Sequence, residues 1–174
     1  MKKFCLTWLL ALPLFLLNAC ASIPEGIKPI DNFQLERYLG QWYEIARLDH
    51  SFERGLEQVT ATYSLNQDGS VRVLNRGFST LKQQWQEAEG RAQFVESPQV
   101  GRLKVSFFGP FYGGYNIVEL DKNYQHALIV GNDRSYLWIL SRTPRLDSAT
   151  QQHLIQRAQA LGFATEQLIL VKQP

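Results

Sequence analysis

Cysteine and histidine carry most nucleophilic and metal chemistry, and this 174-residue chain has only Cys5, Cys20, His50, His126 and His153. Metal ions such as zinc are held by ligands at short, paired spacings, and no two of these histidines have that arrangement. No metal and no other cofactor is expected. Ser–His–Asp and Cys–His sets lack any local motif, although such triads assemble in space and spacing alone leaves them open. No catalytic residue is nominated. That leaves Cys20, whose place directly after an apolar run gives it a different meaning.

Lys2 and Lys3 open the chain, residues 4–17 are almost wholly apolar, and Leu17-Asn18-Ala19-Cys20 follows. A basic start, an apolar stretch and a small residue before the cut read as a secretory signal peptide over residues 1–19. The run is short for a membrane span, which needs about 17–25 apolar residues, and Pro13 interrupts it. Leu17-Asn18-Ala19-Cys20 resembles a bacterial lipobox, in which the chain is cut before the cysteine and lipid is attached to its thiol and amine. Asn18 departs from the Ala or Ser usual at that position. Ala21 and Ser22 follow in place of an Asp, which resembles the pattern that sends Gram-negative lipoproteins to the outer membrane. Several acyl chains would make a firm membrane partner, each buried CH2 adding roughly 0.8 kcal/mol.

Composition bounds the remainder. Cys5 falls in the signal, so the mature chain keeps one cysteine, no intramolecular disulfide, and no free thiol once Cys20 is acylated. The chain holds 18 basic and 16 acidic residues, and loss of Lys2 and Lys3 leaves the mature protein neutral. A nucleic-acid partner would call for a basic face, and none is expected. Residues 20–174 suit one domain. Pro24, Gly26 and Pro29 prevent regular structure over 21–30. Residues 20–32 therefore read as lipidated cysteine plus tether, and about ten extended residues reach roughly 33–36 Å, enough for the domain at 33–174 to stand clear of a membrane. Asp31 or Asn32 can cap a short helical turn over 33–38, which Gly40 ends.

From Gln41 onward the pattern is strand after strand: 41–50, 58–65, 71–78, 85–95, 102–108, 115–120, 126–131 and 136–142. Val59, Ala61, Tyr63 and Leu65 alternate with Thr60, Thr62 and Ser64, the period of a half-buried strand. Leu103, Val105 and Phe107 alternate likewise with Arg102, Lys104 and Ser106. Short connections such as Asn66-Gln67-Asp68-Gly69 favour neighbouring antiparallel strands. The fold class is all-β: an eight-stranded antiparallel up-and-down barrel. One α-helix follows, capped by Asp147 or Ser148 and ended by Gly162, with Leu154, Ile155, Ala158 and Leu161 as an apolar stripe that packs it outside the barrel. A short strand at 167–171 comes last.

Gly40-Gln41-Trp42 matches the Gly-x-Trp motif that opens the first strand of lipocalins. Asp121-Lys122-Asn123-Tyr124 resembles their second signature, and Arg142, ending strand eight, their third. In this order on eight strands, the chain resembles a lipocalin across about residues 33–172. Tyr43-Glu44-Ile45-Ala46 and Trp138-Ile139-Leu140-Ser141-Arg142 look nearest to the bacterial outer-membrane lipoprotein lipocalins and apolipoprotein D. Topology agrees independently. Strand one starts, and strand eight finishes, at the same end, so Trp42 and Arg142 must meet there beside Asn123 and Tyr124. Gly40, Trp42, Asn123, Tyr124 and Arg142 are thus read as a structural plug.

The other end is the mouth, with loops at 51–57, 79–84, 109–114 and 132–135. Phe108, Phe111 and Tyr112 at the third loop mark either a ligand or protein contact, or rings packing the loop on itself. An eight-stranded barrel can hold one small ligand. Parity with Arg142 turns Trp138 and Leu140 inward; Val59, Ala61, Tyr63, Val73, Asn75, Phe107, Tyr115 and Ile117 follow, and small Ala61, Ala88, Gly90 and Ala92 leave space. The resemblance implies that Tyr63, Asn75, Phe107, Tyr115, Trp138 and Leu140 line a ligand pocket. It implies a binding protein rather than an enzyme, anchored in the outer membrane, that binds, stores or transports fatty acids or lysophospholipids for envelope maintenance. A lipid-modifying enzyme and an envelope protein-interaction module are the alternatives, and a homodimer is left open. Cys20→Ser should leave the chain uncleaved or soluble in cell fractionation; normal processing and sedimentation of that variant would refute the anchor.

Overall fold

The computed structural model describes residues 22–174; the expected signal peptide and Cys20 lie outside the described residues. Eight antiparallel strands follow in chain order: β1 (Gly40–Arg47), β2 (Leu56–Leu65), β3 (Val71–Ser79), β4 (Gln84–Phe94), β5 (Arg102–Phe108), β6 (Phe111–Leu120), β7 (His126–Val130) and β8 (Leu137–Ser141). Each pairs with its neighbour, and β1 pairs with both β8 and β2, so the sheet closes into a barrel. Closure removes the exposed edges that an open sheet would carry. β1 and β2 part toward the mouth, and a ninth strand, β9 (Ile169–Leu170), joins the upper half of β1 there.

Alternation sorts the side chains into two cores. Trp42, Tyr63, Val71, Val73, Ala92, Leu103 and Leu140 meet inside the barrel. Leu128, Val130, Leu137 and Ile139 face outward and are covered by Leu154 and Ala158 of the long helix, α2 (Ser148–Ala160). The Asp147 carboxylate accepts from the Thr150 N–H at 2.9 Å and caps that helix, as the sequence predicts.

The closed end is built around one guanidinium. A short helix, α1 (Leu35–Tyr38), crosses this end of the barrel. The Arg142 guanidinium carbon lies 4.0 Å from the Trp42 ring centroid. Its nitrogens donate to the carbonyls of Gln41 at 2.8 Å, Arg37 at 2.9 Å, Tyr38 at 3.0 Å, Leu39 at 2.9 Å and Tyr124 at 3.3 Å. Three of these belong to the last turn of α1, where carbonyls lack helical partners and a cation is favoured. Gly40, at φ +93°, makes the bend from α1 into β1, a conformation most side chains resist. Trp42 Nε1 donates to Tyr38 O at 2.8 Å. Tyr124 joins the plug through its hydroxyl, which accepts from the Gln34 N–H at 3.0 Å, and through its ring, with the Arg37 guanidinium 4.1 Å from the centroid.

Several expectations need correcting. The Asn123 side chain is exposed and stands outside the plug. Asp121 organises that turn instead: burial disfavours its charge, but donors from Asn123, Gln125 and His126 outweigh this and hold the carboxyl below its ordinary range. The α1 N-cap is Gln34, not Asp31 or Asn32. β6 begins at Phe111, four residues early, so the third mouth loop shrinks to a tight turn. β1 stops at Arg47, before a loop that folds inward. The segment read as a free tether has no regular structure but lies along the barrel wall. Ile27 is buried against Val118, Leu128 and Val130. The Ile30 N–H donates to Ile117 O at 2.9 Å, and Ile30 O accepts from the Gly101 N–H at 2.9 Å. The apolar outer wall gains more from covering by Ile23 and Ile27 than a solvated tether would give.

Arg142→Ala removes all five carbonyl contacts and the ring contact together. It should lower unfolding free energy by about 2–4 kcal/mol in urea denaturation. Arg142→Lys should recover little, because an ammonium cannot span the same acceptors; parent-like stability in either variant would contradict the plug.

Candidate functional site

The inward rows of the strands enclose a cavity of about 550 Å3 that is open at the mouth. Ligand pockets commonly span roughly 300–1,000 Å3. Its middle is apolar, with Val59, Ala61, Val73, Ala92, Leu103, Val105 and Leu140 on the walls.

Three phenols form its floor. Tyr38 Oη lies 2.6 Å from Tyr115 Oη, and Tyr63 Oη lies 2.8 Å from the same atom. Burial raises the pKa of all three well above the ordinary tyrosine value. They therefore stay neutral and offer hydroxyl donors and acceptors under an apolar column.

The upper wall carries a buried charged cluster. Glu44 shares the inward face with Trp42, and a bulge between Glu44 and Ala46 brings Arg47 round to it. Glu44 Oε1 accepts from Arg47 Nη1 at 2.6 Å. Arg47 Nη2 donates to the carbonyls of Glu53 at 2.9 Å and Leu56 at 3.2 Å, folding the β1–β2 connection over the wall. Glu53 Oε2 accepts from Trp138 Nε1 at 3.0 Å and sits 3.2 Å from His50 Nε2. His50 stacks on Phe52 with 4.1 Å between centroids. Two carboxylates thus face one guanidinium out of water. Burial, then the charge of Glu53, pushes Glu44 up to about 8 against the pull of Arg47. Burial raises Glu53 too, opposed by Trp138 and Arg47. Burial and Arg47 together lower His50 to about 4, so its ring is neutral at pH 7.

All six residues nominated from the sequence line this cavity: Tyr63, Asn75, Phe107, Tyr115, Trp138 and Leu140. The Asn75 carbonyl oxygen is buried with no protein partner, a polar handle on an apolar wall. Of the small residues, Ala61, Ala88 and Ala92 do border the space. Gly90 does not leave room: a Cβ there would lie 2.8 Å from the Phe107 ring, which already fills the place. Phe108 and Phe111 project outward at the rim rather than packing their turn, while Lys104 Nζ lies 4.9 Å from the Tyr112 ring centroid.

The floor hydroxyl of Tyr38 and the Glu44–Arg47–Glu53 cluster were not nominated from sequence. Glu44 could have been, since it shares parity with Trp42. Arg47 could not, because the bulge reverses its face, and Glu53 comes from a loop without periodicity. His126 and His153 lie apart from the cavity, near Asp121 and Glu119. Among the described residues, no group of three or more His, Cys, Asp or Glu is placed to hold a metal ion.

Comparison with known proteins agrees with this architecture. The profile of the lipocalin-like domain matches residues 33–173. Outer membrane lipoprotein Blc of Citrobacter freundii is 54% identical over 162 residues, 92% of either chain. Apolipoprotein D of Rattus norvegicus is 33% identical over 151 residues, 80% of this chain and 75% of its own. Among solved structures, the cockroach allergen Per a 4 superposes with a TM-score of 0.69 at 21% identity, covering 89% of this chain and 97% of that one.

The buried carboxylates make stability depend on pH with a definite sign. A carboxyl raised from 4.5 to about 8 on folding favours the fold most fully below 4.5 and loses that contribution as pH rises to about 8. Glu44→Gln keeps an acceptor for Arg47 without the charge. Its melting temperature should match the parent near pH 4 and exceed it by several degrees at pH 8. A constant difference across that range, followed by circular dichroism, would show that Glu44 titrates normally.

Proposed function

The chain belongs to the lipocalin family, and we propose that it is an outer-membrane lipoprotein that binds, stores or transports fatty acids or lysophospholipids for envelope maintenance. The observation that carries this reading is the cavity: about 550 Å3, apolar along its walls, stopped at one end and open at the other. A single-chain lipid fits its chemistry. The acyl chain lies among Val73, Ala92, Leu103 and Val105, where it leaves water at roughly 25 cal/mol per Å2. The polar end finds hydrogen-bonding groups at the Asn75 amide and at the mouth. Tyr63, Phe107, Tyr115, Trp138 and Leu140 supply the surrounding contacts.

Localisation follows the names of relatives such as the Blc lipoprotein together with the run ending at Cys20. Acylation of Cys20 after removal of residues 1–19 provides the membrane attachment. Among the described residues no helix is long and apolar enough to cross a membrane. A binding role, not catalysis, is the reading adopted: the charged groups of the cavity are tied to one another and to the β1–β2 connection, an arrangement that shapes a wall.

Organic extracts of the purified protein should yield fatty acid or lysophospholipid by mass spectrometry. Ala61→Trp tests whether such lipid sits inside. The added ring should fill the cavity and abolish binding of a fluorescent fatty acid while the barrel still folds, at about 1–3 kcal/mol of overpacking cost. Trp138→Phe, which frees Glu53 and removes an aromatic wall, should weaken binding by roughly 1–3 kcal/mol in titration. Parent-like binding by Ala61→Trp would place the ligand outside the barrel.

A further inference from the structure

We propose that the three phenols at the floor of the cavity form a subsite for a neutral oxygen at the buried end of the ligand, so that the barrel selects acyl chains carrying a hydroxyl or keto group far from the head. This rests on the reading of the cavity as a lipid site. It names a feature of the lipid that an apolar pocket would not choose.

The first observation is a count of protons. Neutral Tyr38, Tyr63 and Tyr115 bring three O–H donors to one place. Tyr115 Oη is the hub, 2.6 Å from Tyr38 Oη and 2.8 Å from Tyr63 Oη. Each contact uses one proton, whichever oxygen donates it. A closed ring of three hydroxyls would use all three. Here no hydrogen bond joins Tyr38 Oη to Tyr63 Oη, and among the described residues no other group accepts from the three. One donor is left over, beneath walls of Val71, Ala92 and Leu103 that offer it only carbon. A buried donor is costly to leave without an acceptor.

The second observation is that packing holds the donors in place. The phenols come from α1, β2 and β6. The Tyr38 ring packs on Trp42 at 4.7 Å and on Tyr63 at 5.3 Å between centroids, and Tyr115 packs on Tyr63 at 5.9 Å. None can swing to another partner without disturbing the plug. All three line the cavity, so the spare donor is presented to whatever reaches the floor. The third observation selects the oxygen. The Arg142 guanidinium of the plug is already shared among five carbonyls and the Trp42 ring. Burial keeps the phenols neutral, and the same burial penalises a carboxylate placed among them. The head of a fatty acid is therefore held toward the mouth, and its chain end meets the phenols. A terminal methyl strands the spare donor. A ketone accepts from it, and a hydroxyl both accepts from it and donates to a phenol oxygen.

The test uses the full chain, delipidated and reconstituted in phosphatidylcholine nanodiscs. It is titrated with saturated fatty acids from decanoic to hexadecanoic, each plain or with a keto group beside the terminal methyl, in competition with a fluorescent fatty acid. The comparison is a variant combining Tyr38→Phe, Tyr63→Phe and Tyr115→Phe, which keeps the rings and removes every floor hydroxyl. Partition into the disc is common to both proteins and cancels in the ratio of keto to plain affinity. At chain lengths that reach the floor, that ratio should fall by a factor of roughly ten to a hundred in the variant, the keto acid losing affinity and the plain acid gaining it. An unchanged ratio at every length overturns the subsite. A folded variant that binds the plain acid more weakly than the parent does would put the carboxylate head at the floor, and overturns it as well. If the variant fails to fold by circular dichroism, infrared spectroscopy of the parent decides. The stretch of a carbon-13-labelled keto group should move on binding to a lower frequency than in hexane, as hydrogen bonding requires; a hexane-like stretch at every length overturns the proposal. Absence of any fatty-acid binding by the parent overturns the lipid reading itself, and the subsite with it.

Discussion

The contact of the Arg142 guanidinium with the Trp42 indole and five backbone carbonyls is the constraint on which this barrel depends. A closed sheet has two equivalent ends until something stops one of them. Arg142 does so by collecting the unpaired carbonyls that α1 leaves at its last turn and laying them over the first ring of the interior. The interaction joins the beginning of the wall to its end, since β1 and β8 are neighbours only once the sheet has closed. It also fixes which side chains face in. With Trp42 inside, alternation carries Glu44 inward on β1 and Trp138 and Leu140 inward on β8. The cavity is the space left above the plug.

The other end is held by a different kind of force. Burying two carboxylates against one guanidinium is costly, and pairs of this sort contribute little net stability compared with apolar packing. What the cluster supplies is position. Arg47 binds the carbonyls of Glu53 and Leu56, and Glu53 binds Trp138, so a long connection is tied to walls on both sides. A loop that would otherwise splay is turned into part of the cavity. The two ends thus divide the work: cation and carbonyls close one, while cation and carboxylates shape the opening of the other.

Most of the wall was legible in the sequence because its signal is periodic. Alternation along β2, β3, β5, β6 and β8, read with the rule that odd and even strands run oppositely, places Tyr63, Asn75, Phe107, Tyr115, Trp138 and Leu140 inside without any tertiary information. What was hidden had no period. The bulge at Glu44 and Ala46 turns Arg47 to an unexpected face, and Glu53 lies in a loop whose fold is set by partners far along the chain. The four residues from Phe111 to Gly114 read as loop because glycine is a poor strand former, yet pairing with β5 keeps them extended. Residues 22–30 read as tether because proline forbids regular structure. Proline does not forbid docking, and three isoleucines at intervals of four and three residues were the overlooked cue.

The ninth strand has a consequence for the order of events in folding. Where β1 and β2 part, the gap is filled by residues 169–173. Val171 N–H donates to Ile45 O at 2.9 Å, the Gln58 N–H donates to Lys172 O at 2.8 Å, and the Gln173 amide bridges Glu44 O at 2.7 Å and Val59 O at 3.0 Å. The bridge to Glu44 closes a sequence separation of 129 residues. Loop-closure entropy makes such distant pairings slow to form. In a chain that emerges from its amino end, the first strand is therefore also among the last to be fully paired. Its free edge is exposed for nearly the whole of synthesis. During that interval the nascent wall is a seam open to mispairing, and it is sealed by the residues that arrive last to the domain.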